Sequence, residues 1–210
     1  IKLRNILFNY GFKNKKVLQK ISLDINLKTP IIISGSSGSG KTTLANIISG
    51  IYIPQEGEIV YIDQRGKEFK STNYNIDVGY VTQNVYVFRG SIKEFLCEEK
   101  KIDEKKIFEV LESVGLTNFI KNNGGLNSKV VEGGRSFSGG QIRRLGIAKI
   151  LLRGSQVIIL DEPTAGLDKI NKDFLIKTIE RLSIDYIIII ISHDKIDLKG
   201  SEKINLDNLN

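Results

Sequence analysis

The segment Gly35-Ser36-Ser37-Gly38-Ser39-Gly40-Lys41-Thr42 constrains the fold more than any other, because it fits the G-x-x-x-x-G-K-[S/T] pattern at every fixed position. An apolar run at 31–34 precedes it and a helical pattern at 42–51 follows it, so a strand, a glycine turn and a helix are expected in succession. Glycines let the backbone curl until successive N–H groups point inward, and the helix that follows presents roughly half a positive charge at its start. A polyphosphate suits such a cradle. Lys41 is placed to reach the β- and γ-phosphates, and the Thr42 hydroxyl, beside Thr43, is placed to bind Mg²⁺.

Further apolar runs at 78–81, 157–160 and 186–192 each lead into polar or glycine-rich residues and alternate with helical patterns at 102–114 and 173–182. Continuous apolar strands between helices predict an α/β fold whose parallel sheet is covered on both faces. Two regions depart from that alternation. Short alternating segments in the first 30 residues and at 57–62 suit an antiparallel β layer, and 91–152 is dominated by helical patterns broken by an Asn/Gly-rich loop at 122–127. One domain spanning 1–210, with a helical subdomain at about 88–155, is expected.

The run Val157-Ile158-Ile159-Leu160 ends in two adjacent carboxylates, Asp161 and Glu162. Side chains alternate along a strand, so these neighbours need not share a task. Asp161 is placed to orient Mg²⁺, and Glu162 to stand where an attacking water would sit, as the base for hydrolysis. A helix-start acid pair before Pro163 is the plainer reading, and both can hold together.

Composition adds bounds. The net charge of +7, from 31 Lys and Arg against 24 acidic residues, reads as a solvated lysine-rich surface. Lys13, Lys15 and Lys16 form the notable amino-terminal cluster, without interleaved aromatics to stack bases, so nucleic acid is not an expected partner. The single cysteine, Cys97, cannot form an internal disulfide and reads as a small apolar side chain on a helix. The longest apolar run, 186–191, falls far short of the roughly 18 residues that cross a bilayer, so any membrane link comes through other polypeptide. A chain that opens on Ile1 in a strand-like pattern is expected to be cut from something longer.

Phe137-Ser138-Gly139-Gly140-Gln141 resembles the LSGGQ signature of ABC proteins, with Phe in the usual Leu position. Its glycine amides precede a helical pattern at 142–152 and can form a second anion site. The order of phosphate loop, signature and acidic strand is similar to that of ABC ATPases. The resemblance implies the ABC ATPase fold: a P-loop NTPase core with a parallel sheet, an antiparallel β subdomain and a helical subdomain. It also implies ATP and Mg²⁺ as ligands. It implies further that Ser138 and Gly140 of one subunit contact ATP held by the loop of a second copy or a homologous ATPase domain, in an ATP-sandwich dimer. By the same resemblance, Gln83 matches the Q-loop glutamine that senses Mg²⁺. Tyr10 matches the aromatic that stacks on adenine, Ala165-Gly166-Leu167-Asp168 the D-loop, and His193 the residue that contacts the γ-phosphate. Taken singly, a surface glutamine, a sheet-surface tyrosine and a packed histidine are the commoner explanations of those three residues.

Val130-Val131-Glu132-Gly133-Gly134 resembles the TxVGExG loop of ABC exporters, and Gln83-Asn84-Val85-Tyr86-Val87-Phe88 followed by Gly90-Ser91-Ile92 resembles their QNxxLFxxTI segment. Both would face the coupling helices of a transmembrane domain fused upstream. Export powered by ATP hydrolysis at the cytoplasmic face of the cell membrane is the function this resemblance implies. The D-loop form is also familiar in importer ATPases, so an importer stays open, as does a soluble ABC ATPase acting on nucleic acid. A small-molecule P-loop kinase, which would lack the signature and the later histidine, ranks last.

Overall fold

A computed structural model describes residues 1–11, 17–63, 65–70, 77–86, 90–98, 100–130 and 137–209. The amino-terminal strands β1 (Lys2–Phe8) and β2 (Leu18–Asp24) pair antiparallel and are joined by β4 (Glu56–Ile62) and β5 (Glu68–Lys70) in the order β2-β1-β4-β5. The second sheet has the order β11-β3-β10-β9-β6, from β3 (Ile31–Ser34), β6 (Val78–Val81), β9 (Val157–Asp161), β10 (Ile187–Ile191) and β11 (Glu202–Asn205), and all its pairings are parallel. Helix α1 (Lys41–Ile48) follows β3, and α6 (Lys169–Leu182) lies between β9 and β10. Between β6 and β9 the chain forms β7 (Gly90–Ser91), α2 (Ile92–Cys97), α3 (Glu104–Ser113), α4 (Thr117–Asn122), β8 (Lys129–Val130) and α5 (Gly139–Arg153).

The isoleucine-rich strands are explained by burial on both faces. Ile188 and Ile190 of β10 join the cluster formed with α2 to α6, while Ile189 and Ile191 join the one formed with α1 and the antiparallel sheet. Strands β9 and β3 divide the same way, with Ile158, Leu160 and Ile32 on the first side and Val157, Ile159, Ile31 and Ile33 on the second. Residue i and residue i+1 thus serve different cores, the requirement that turns an alternating pattern into an unbroken apolar one. Cys97 is buried at the end of α2, as its reading as a small apolar side chain expects.

Helix boundaries differ from the periodicity where caps decide them. Helix α1 stops at Ile48 rather than 51, because the Ser49 amide and hydroxyl both turn back to Ala45 O and Gly50 takes a positive φ of 74°. Helix α6 starts at Lys169, ahead of the expected 173, because the Asp168 carboxylate accepts the Asn171 amide at 2.8 Å and caps the first turn. Helix α5 starts at Gly139, where Ser138 and Gln141 form a reciprocal capping box.

Candidate functional site

The ends of β3, β6, β9 and β10 deliver the phosphate loop, Gln83, the acid pair and His193 to one edge of the parallel sheet, the carboxyl edge where open α/β sheets bind ligands. There Tyr10, Gly38, Gly40, Lys41, Thr42, Thr43, Gln83, Asp161, Glu162 and His193 line an open cleft of about 580 Å³, together with Val17, Ala165 and Ile191.

The loop depends on two glycines at its ends. Gly35 has φ of 150°, and a Cβ there would stand 2.6 Å from Ser39 Oγ; Gly40 has φ of 98°, and a Cβ there would stand 2.9 Å from the Val17 carbonyl oxygen. At Gly40 the neighbouring backbone excludes a side chain, and at Gly35 the backbone angle disfavours one. Lys41 is buried, and its ammonium donates to Gly35 O at 2.9 Å and Ser36 O at 2.8 Å, folded back over the loop that it serves. Ser36 is held in turn from the far end of the chain. Its amide and hydroxyl donate to Asp207 at 2.7 and 2.8 Å, and these bonds, followed by the Lys41 charge, hold the Asp207 carboxyl below its ordinary range. Ser37 stands exposed on the same loop.

The two acids point to different partners, and the left-handed backbone of Glu162, just past the end of β9, turns it away from Asp161's side. Asp161 Oδ2 accepts the Tyr80 hydroxyl at 2.9 Å across the β6–β9 pairing. Burial first, then the Asp161 charge and that bond, push the Tyr80 phenol far above its ordinary range. Glu162, with a positive φ of 47°, turns toward β10, where its carboxylate accepts the His193 amide at 2.9 Å and the Ser192 hydroxyl at 3.2 Å. The His193 ring lies alongside, with Nε2 3.7 Å from Glu162 Oε1. Thr42, Asp161 and Gln83 give the cleft a set of oxygen donors, the chemistry Mg²⁺ prefers.

Tyr10 is half exposed, and its hydroxyl shares a 2.7 Å hydrogen bond with Thr43 Oγ1. Phe8 and Tyr52 hold its ring edge-on, with centroids 5.1 and 5.8 Å away. An aromatic ring braced on one side and open on the other offers a platform for a planar base.

The signature residues lie elsewhere. Among the described residues, none of Ser138, Gly139, Gly140 and Gln141 lines the cleft, and neither does Asp168. The tip packs instead on the D-loop and the first turn of α6 in its own chain: a Cβ on Gly139 would meet Leu167 Cδ2 at 3.3 Å, and one on Gly140 would meet Asn171 Oδ1 at 3.1 Å. Asn171 is itself fixed by both Asp168 oxygens, at 2.8 and 2.9 Å. The exporter-like residues Val131 to Gly134, Val87 and Phe88 and the cluster Lys13, Lys15 and Lys16 fall outside the described residues.

Residue patterns alone missed Tyr80, Ser192 and Asp207. Adjacency to His193 was a usable signal for Ser192, whereas Asp207 lies 171 residues from its partner and carried none.

Comparison with known proteins gives the family of the chain. A family model described as ABC transporter matches residues 18–165. The chain is 35% identical over 210 residues, 99% of its length, to the lactococcin-G-processing and transport ATP-binding protein LagD of Lactococcus lactis subsp. lactis, covering 30% of that protein. It is 31% identical over 207 residues, 97% of its length, to the glutathione/L-cysteine transport system ATP-binding/permease protein CydC of Haemophilus influenzae, covering 36% of it. The chain thus spans about a third of the length of these curated relatives. A solved bacterial Atm1-family ABC exporter with ATP bound superposes with a TM-score of 0.77 at 23% identity, over 92% of this chain and 34% of that one. With most of its length matched by the family model, this chain belongs to the ABC transporter family.

Proposed function

We propose that the chain binds and hydrolyses ATP with Mg²⁺ and that this powers export by a transporter whose transmembrane domain lies outside the sequence. The observation that carries the reading is the convergence of Lys41, Thr42, Gln83, Asp161, Glu162 and His193 on one cleft beside the exposed ring of Tyr10. Relatives named for transport with fused ATP-binding and permease parts support a membrane partner, and among the described residues no helix is long and apolar enough to cross a bilayer. Under the same proposal this domain lies at the cytoplasmic face of the cell membrane.

Adenine stacks on Tyr10, and the triphosphate runs into the loop amides from Gly35 to Thr43. Lys41 exchanges its two carbonyl acceptors for β- and γ-phosphate oxygens. Thr42, Asp161 and Gln83 would hold Mg²⁺ beside the phosphates, where it would neutralise charge. Glu162 accepts a proton from water as the water oxygen bonds to the γ-phosphorus and the bond to the β-phosphate bridging oxygen breaks. His193 contacts the γ-phosphate from the β10 side. Ser138 and Gly140 of a second domain close the site, since in their own chain they sit off the cleft. ATP-driven closure and reopening after hydrolysis transmit motion to the membrane part, which needs tighter ATP binding in the closed state than in the open one.

Glu162→Gln tests the assignment. The variant should retain ATP, accumulate as a dimer, and lose turnover by about 10² to 10⁴. Hydrolysis at the unaltered rate would remove Glu162 from the role of base.

A further inference from the structure

Two consecutive arginines on α5 have opposite fates. Arg144 is buried and held on several sides: its guanidinium donates to Gly140 O, Val114 O and Gly115 O at 3.2–3.3 Å and lies 4.2 Å over the Phe174 ring. It ties α5 to the turn after α3 and to α6. Arg143 turns the other way. One terminal nitrogen donates to the D-loop carbonyl of Ala165 at 2.6 Å, and the other stands 3.5 Å from the position of a Cβ on Gly139. Its Nε is buried and makes no hydrogen bond.

Among the described residues, no carboxylate lies within ion-pair distance of Arg143. Burial holds its pKa below the ordinary guanidinium range, yet an arginine keeps its charge in proteins. A half-buried cation without a counter-ion is costly unless something outside the chain balances it. Gly139, whose ideal Cβ position lies near that guanidinium, opens the helix whose first amides have no carbonyl to meet within the helix, so the charge and the helix start put the same polarity in the same neighbourhood.

We infer that Arg143 is a positioning residue for the second half of the ATP site: it locks the signature tip to the D-loop through Ala165 and lends that tip a positive charge for the γ-phosphate held by the partner domain. The inference rests on the ATP-sandwich reading given above. Gly139 suits this arrangement, since a Cβ there would press on Leu167 at 3.3 Å and come within 3.5 Å of the Arg143 guanidinium. The D-loop and the signature therefore approach a partner as one block, and the charge that faces the partner's nucleotide is fixed by a bond to the D-loop backbone rather than by a carboxylate that would cancel it.

The test is ATP-driven dimerisation of the Glu162→Gln chain, read by size-exclusion chromatography, beside binding of a fluorescent ATP analogue to the monomer. Adding Arg143→Gln should raise the nucleotide concentration for half-maximal dimerisation about 5- to 10-fold, a modest coupling energy, and leave monomer affinity unchanged. Arg143→Lys, which keeps the charge, should stay within about 3-fold of the parent, since less than 1 kcal/mol separates them. Dimerisation of the Arg143→Gln chain at the parent concentration would overturn the inference, as would a lysine variant no better than the glutamine one. Ser138→Arg in the same assay separates the two levels of argument. If Ser138→Arg blocks dimerisation and Arg143→Gln does not weaken it, the role of Arg143 falls alone; if Ser138→Arg dimerises normally, the ATP sandwich itself falls.

Discussion

The Tyr80 hydroxyl donates to Asp161 Oδ2 at 2.9 Å, across two neighbouring parallel strands in which Tyr80 stands opposite Ile159. The bond occupies one carboxylate oxygen and leaves the other directed by it. Partners of this kind fix the orientation of a metal-binding group, and their loss typically costs about 10- to 100-fold in metal affinity. Tyr80→Phe should therefore raise the Mg²⁺ concentration needed for half-maximal binding of a fluorescent ATP analogue by about that factor, with metal-free nucleotide binding little changed. An identical Mg²⁺ titration for the two proteins would contradict it.

Burial of Tyr80, together with the Asp161 charge and this bond, predicts a response to alkali. Tyr80 has its pKa raised in the fold, so its contribution to stability is complete below the unfolded value, near 10, and declines as pH rises from there toward the folded value. The unfolded chain releases the proton while the native one keeps it. Melting curves should show the native chain losing stability more steeply than Tyr80→Phe between roughly pH 9.5 and 11, since phenylalanine has no proton to release. Parallel slopes would mean that the Tyr80 hydroxyl is free in solution.

Lys41 donates to two loop carbonyls, and the proposed function has it exchange them for phosphate. A hydrogen bond to a charged group is worth about 1.5–3 kcal/mol, so Lys41→Ala should weaken ATP at least about tenfold in a direct binding measurement. The two freed carbonyls, Gly35 O and Ser36 O, should also lower the melting temperature without ligand. ATP affinity equal to that of the native chain would contradict the placement of Lys41 against phosphate.

Gly79 on β6 faces α5 so closely that an added Cβ would overlap the Ile150 side chain. Overpacking of this kind costs about 1–3 kcal/mol, so Gly79→Ala should lower the melting temperature by about 2–12 °C. An unchanged melting temperature would show that α5 can shift away from the sheet.

Much of this was legible in the residue order because the governing interactions are local. Ser138 and Gln141, three apart, announce the cap that starts α5, and the glycine spacing before Lys41 announces the cradle. The isoleucines of β10 announce a strand buried on both sides. Boundaries were harder: the periodicity of α6 begins at 173, but the Asp168 carboxylate starts the helix four residues earlier. What could not be read depends on tertiary approach. Arg143 and Arg144 are chemically identical neighbours, and only the turn of α5 decides that one is spent on the carbonyls around Val114 while the other is left to the D-loop. Tyr80 and Asp161 are 81 residues apart, and nothing in either neighbourhood marks them as partners.

The clasp between Asp207 and Ser36 joins nearly opposite ends of the chain at the rim of the nucleotide cleft. Strand β11, which leads to Asp207, is an outermost strand of its sheet, where fraying costs least. Whatever loosens that margin unfastens the loop's first turn, and whatever steadies the loop must, by reciprocity, steady the margin. Amide protons of Lys203 to Asn205 should thus exchange more slowly once ATP is bound, although the nucleotide is not expected to touch them.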